Sequence, residues 1–137
     1  MGQRQSFAQC KVRHNRGMEF ERTDFVSVPV ADMARAKAFY RDVLRLHSPD
    51  WDAGWPEIET GNVSLYLVDP TVMGHEFAPH LAPIALRVND VAAAKEELEE
   101  RGVEFTGEQD TGVCKMAFFS DTEGNSLMLH RRYAPVD

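Results

Sequence analysis

Two stretches of the chain share one pattern of apolar and polar positions. FVSVPVADMARAKAFY, from Phe25, and PIALRVNDVAAAKEEL, from Pro83, each open with apolar residues at every second position and then change to a helical spacing. Aligned at an offset of 58, Val28 meets Leu86, Val30 meets Val88, Asp32 meets Asp90, Ala36 meets Ala94 and Lys37 meets Lys95. In both copies the aspartate stands where a helix needs a side-chain oxygen for its first free N–H groups, so each copy reads as strand, cap, helix. After Asp32 the apolar residues Ala36, Phe39, Tyr40, Val43 and Leu44 form one buried stripe. After Asp90 the stripe is thinner, Val91, Ala94 and Leu98, with Lys95, Glu96, Glu97, Glu99 and Glu100 facing water, and Gly102 supplies the left-handed residue that ends the helix.

The strands that follow have the same period of two. In the first copy, 57–60 and 63–68 flank Gly61-Asn62, a hairpin signal, and 48–53 is a further short strand weakened by Pro49 and the following Gly54. In the second, 103–106 and 113–119 precede the turn Asp121-Thr122-Glu123-Gly124-Asn125, and 126–131 is the last strand. Each half is therefore β-α-β-β-β, and the fold class is α+β. The two tandem modules, about 22–75 and 82–133, form one domain over 18–137. A helix covers one face of each sheet and leaves the other open, so the two units enclose a cleft within a curved mixed sheet.

Composition excludes several classes of function. With 43% apolar and 27% charged residues the chain is an ordinary globular protein, and no apolar run approaches the ~20 residues of a membrane span. Residues 1–17 carry Arg4, Lys11, Arg13 and Arg16 and no acid, and read as a loose basic tail, with Met18 as the alternative, internal start. The rest is strongly acidic, at −11 against −7 for the whole chain, which argues against a nucleic-acid partner. Cys10 and Cys114 have neither metal nor disulfide spacing, so reduced thiols and a cytoplasmic location are expected.

The paired modules, the VPVADMARAKAFY opening and the DTEGN turn before a closing apolar strand resemble the vicinal oxygen chelate superfamily, which includes glyoxalase I, extradiol dioxygenases and bleomycin-resistance proteins. The resemblance covers Asp24 to about Tyr133, with Thr122 where the family's turn commonly has proline. It implies a divalent metal on four strand positions, which fall on Phe25, Pro83, Tyr66 and Met128. Phenylalanine and proline have no donor atom, the tyrosine phenol keeps its proton until about pH 10, and thioether suits soft Cu(I). The resemblance thus implies the fold and withholds the usual metal chemistry, so neither metal nor other cofactor is expected. It also implies a homodimer, since the family commonly buries open sheet edges between two chains.

Alternation puts Phe25, Ser27, Ser64, Tyr66, Pro83, Ala85, Arg87, Met128 and His130 on the concave face, an apolar wall with a few polar tips. The alternative for Phe25, Pro83 and Met128 is core that fills a collapsed cleft; for Arg87 and His130 it is an exposed edge. Trp51 and Trp55 either stack on a ligand ring or pack over the end of the sheet. His75 and His80 are five apart with Pro79 between them, which does not match the four-residue spacing of a helical zinc motif. No nucleophile motif appears.

The leading expectation is metal-independent binding or sequestration of a small, largely apolar or aromatic molecule, with Arg87 receiving an acid or carbonyl group. The alternative is a lyase, isomerase or dioxygenase with no metal or an unusual ligand set, in which His130 acts as general base and Tyr66 donates to an oxyanion. A third is a scaffold domain without a small ligand.

Overall fold

A computed structural model describes residues 17–135. The basic tail, Gly17 apart, lies outside that range. Two mixed sheets arise from the repeat, and neither closes on itself. β1 (Phe25–Pro29), β2 (Glu57–Ile58) and β3 (Ser64–Val68) make the first, in the order β1-β3-β2. β4 (Ile84–Arg87), β5 (Gly107–Asp110), β6 (Cys114–Ser120) and β7 (Ser126–Arg132) make the second, in the order β4-β7-β6-β5. β1 runs parallel to β3 and β4 parallel to β7, and the remaining pairs are antiparallel. A single antiparallel bridge from His47 to Glu59 occupies the place that β5 takes in the second module. Both sheets thus repeat one topology.

The aspartate caps form in both modules. Asp32 accepts from the Arg35 amide at 3.1 Å and Asp90 from the Ala93 amide at 3.0 Å. They open α1 (Met33–Ala38) and α2 (Val91–Glu100). Gly102, at φ +93°, ends α2 with its amide on the Glu99 carbonyl.

Three local expectations change. The first helix does not stay α-helical to Leu44: it widens into a π-helical turn over Phe39–Val43, in which the Leu44 amide reaches back to the Phe39 carbonyl. Phe39 and Tyr40 are both buried there, and Arg45, at φ 57°, stops the helix without a glycine. The stretch 48–53 is a turn region rather than a strand, because Asp50 uses its carboxylate to bind the Ser48 hydroxyl and the Glu57 amide. The strand expected at 103–106 forms at Gly107–Asp110 instead: Val103 and Phe105 turn into the core, and pairing starts where the Thr106 amide meets the Phe118 carbonyl.

One core runs through both modules. Val28, Val30, Leu65 and Leu67 from the first sheet join Ala117, Phe119, Leu127 and Leu129 from the second, with Tyr40, Val91 and Leu98 from the helices. These strand residues all lie on the helix-covered faces, so the alternate residues face away from the core.

The DTEGN turn fastens the modules together. Asn125 donates from its side-chain amide to the Pro29 carbonyl and to Asp121, both at 2.8 Å, and accepts from the His80 amide. Glu123 accepts from the Ala31 and Asp32 amides at 2.8 Å and from Arg35 Nε at 2.8 Å. Its side chain is fully shielded from solvent. Burial alone would raise its pKa, but the Arg35 guanidinium and the two amides outweigh that and lower it to about 2.

Candidate functional site

The strand register decides which expected site residues meet. In the first sheet Phe25 lies beside Ser64, and Ser27 beside Tyr66. The Phe25 and Tyr66 rings are edge to face, 5.1 Å between centroids. Glu57 stands on the other side of Tyr66, a carboxylate the sequence reading passed over. Phe25 is 46% exposed, so it does not fill a closed core.

In the second sheet Ala85 lies beside Met128, and Arg87 beside His130. Phe118 flanks Met128 and Met116 flanks His130 from β6. Phe118 and Met116 were missing from the expected site, although the alternation that buries Ala117 and Phe119 assigns them to this face. Pro83 precedes β4 and is exposed. Met128 and His130 are half-buried, and Arg87 is exposed.

Tyr66 and His130, the expected proton-transfer pair, stand on different sheets. Their register neighbours are Ser27 and Glu57 for the first, Arg87 and Met116 for the second. Trp51 is half-buried and packs against the core, and Trp55 is half-buried in the same loop. Lys37 of α1 holds this loop through the Ala53 carbonyl at 2.7 Å.

Two hollows meet at Arg87. One, of ≈ 480 Å³, lies between the modules, where the β2–β3 loop at Gly61 and Asn62 faces Ile84, Ala85 and Arg87 of β4. The other, of ≈ 510 Å³, is lined by Arg87, His130, Arg132 and Tyr133 to Pro135. Both are of a size that suits small-molecule sites.

The metal implied by the family resemblance does not fit the residues present. Phe25 and Pro83 lack donor atoms, and Tyr66 and Met128 are poor partners for a divalent transition metal. Among the described residues no three His, Cys, Asp or Glu side chains are grouped to hold an ion.

Known proteins share this architecture. The family model of the Glyoxalase/Bleomycin resistance protein/Dioxygenase superfamily matches residues 22–129. TnmS3, an antibiotic binding protein from Streptomyces sp. CB03234, is 31% identical, with 85% of this chain and 100% of that one covered and a TM-score of 0.69. A glyoxalase/bleomycin resistance protein from the same organism is 32% identical over 80% of this chain and 100% of that one, with a TM-score of 0.63. Lactoylglutathione lyase from Agrobacterium tumefaciens, 18% identical over 82% of this chain and 94% of that one, shares the fold at a TM-score of 0.69. The comparison with curated proteins finds no match.

Proposed function

The chain belongs to the glyoxalase/bleomycin resistance protein/dioxygenase superfamily, and on that premise we propose that it binds and sequesters a small, largely apolar or aromatic molecule without the help of a metal. The observation that carries this reading is the open face of the second sheet. There Ala85, Met128 and Phe118 form an apolar row directly beside the polar row of Arg87 and His130. A strand face with half-buried thioether and aromatic groups loses little by taking a flat apolar ligand and gains by removing that surface from water.

The likeness to an antibiotic binding protein at 31% identity supports binding over chemistry. The donor-poor strand positions support a mode of binding in which no ion bridges protein and ligand. Tyr66 and Phe25 supply the matching aromatic surface on the first sheet. The contact residues proposed are Phe25, Ser27, Ser64 and Tyr66 from the first sheet and Arg87, Met128 and His130 from the second. Trp51 and Trp55 close the loop end of the first sheet.

Both faces are open in one chain, and β1 and β4 are sheet edges. A second copy of the chain would cover them, giving a homodimer whose clefts are drier than the single chain's. Native mass spectrometry of protein purified without added ligand tests the binding reading. A stoichiometric co-purified small molecule, or a melting temperature raised by an apolar aromatic compound, supports it. A protein that no such compound stabilises is a scaffold domain instead.

A further inference from the structure

We infer that the hollow beside β7 is an anion subsite, and that the ligand carries a negatively charged group joined to an aromatic body. The inference rests on the binding reading above and specifies the chemistry of its ligand. It follows first from charge. The strand residues on the open face of the second sheet run from Ala85 and Arg87 through the alternate positions of β7, β6 and β5. They include Arg87, His130 and Arg132 and not one Asp or Glu, in a chain of net charge −7. The carboxylates of β5, Glu108 and Asp110, alternate onto the other face, where Glu108 pairs with Lys95.

Shape supplies the second argument. Arg87, His130 and Arg132 line one hollow of ≈ 510 Å³, and its outer wall is the segment from Tyr133 to Pro135. That wall is tied down. The Tyr133 amide donates to the Val113 carbonyl at 2.9 Å, its hydroxyl to Asp110 at 2.6 Å, and Arg132 donates to the carbonyls of Ala134 and Pro135. Among the described residues no carboxylate forms an ion pair with Arg87, His130 or Arg132. Arg87 therefore presents its planar fork of donors to whatever enters, and a carboxylate or sulfonate matches that fork with two parallel hydrogen bonds. The apolar row Ala85, Met128 and Phe118 begins one register step away, which places an aromatic ring next to the anion.

Two fluorescent probes separate the possibilities: anilinonaphthalene sulfonate and its neutral parent, phenylnaphthylamine. The wild-type protein is expected to bind the sulfonate at least about tenfold more tightly. Arg87→Met should erase that preference while leaving affinity for the neutral parent and the melting temperature unchanged, and Arg87→Lys should restore part of it. Arg41→Met removes the same charge from the first module, where Arg41 pairs with its neighbour Asp42, and should change nothing. Equal binding of the two probes, or equal losses in Arg87→Met and Arg41→Met, would overturn the anion subsite and leave the apolar binding reading standing. Failure of both probes to bind would overturn that reading as well.

Discussion

The Tyr40 hydroxyl donates to Asp121 at 2.6 Å across the seam between the two modules, with both residues buried. Burial raises the Tyr40 pKa, and the neighbouring Asp121 carboxylate raises it further, so the phenol stays protonated as the donor this contact needs. The π-helical turn brings Tyr40 to this position, and Asp121 is the first residue of the DTEGN turn.

Removing that hydroxyl leaves a buried carboxylate one donor short. Tyr40→Phe should lower unfolding stability by about 1–3 kcal/mol in urea titrations, with the far-ultraviolet circular dichroism unchanged.

Glu123 makes the seam sensitive to acid. Its pKa falls from the ordinary 4.5 to about 2 on folding, so its contribution is fully present above about pH 4.5 and is lost as pH falls through about 2. The shift corresponds to roughly 3 kcal/mol. Glu123→Gln should accordingly be less stable than wild type by that order at pH 6, and the gap should narrow steadily towards pH 2. A gap independent of pH would mean that the carboxylate charge contributes nothing.

Much of this fold is legible in the sequence because it rests on local chemistry. Asp32 and Asp90 announce their helices by capping, and Gly102 announces the end of the second. The misplaced strand is instructive. Val103 and Phe105 alternate as strand residues do, yet the core claims them, and the hydrogen-bonded edge strand is the polar Gly107–Asp110. Apolar alternation reports burial, and pairing follows from it only where a neighbouring strand is in reach. Within the site, alternation assigned Ser27, Tyr66, Arg87 and His130 to the open face, but the register that sets Ser27 beside Tyr66 and Arg87 beside His130 depends on strand pairing that alternation does not fix. It could not show that Tyr66 and His130 stand on separate sheets, since that depends on how the modules pack.

The proposed homodimer rests on the open faces and edges of the two sheets. Light scattering at micromolar concentration should give twice the chain mass of 15.5 kDa. A strict monomer would leave the open sheet faces in water and remove the second copy from the account.

Metal-independent binding of a small molecule is tested most directly by the affinity of the protein for anilinonaphthalene sulfonate before and after exhaustive treatment with a chelator. Phe25 and Pro83 offer no ligand atoms, so the dissociation constant should be the same in both samples, and elemental analysis of the untreated protein should show less than a molar equivalent of Zn, Ni, Mn or Fe. Binding that disappears with the chelator and returns when one of those ions is added would contradict the account.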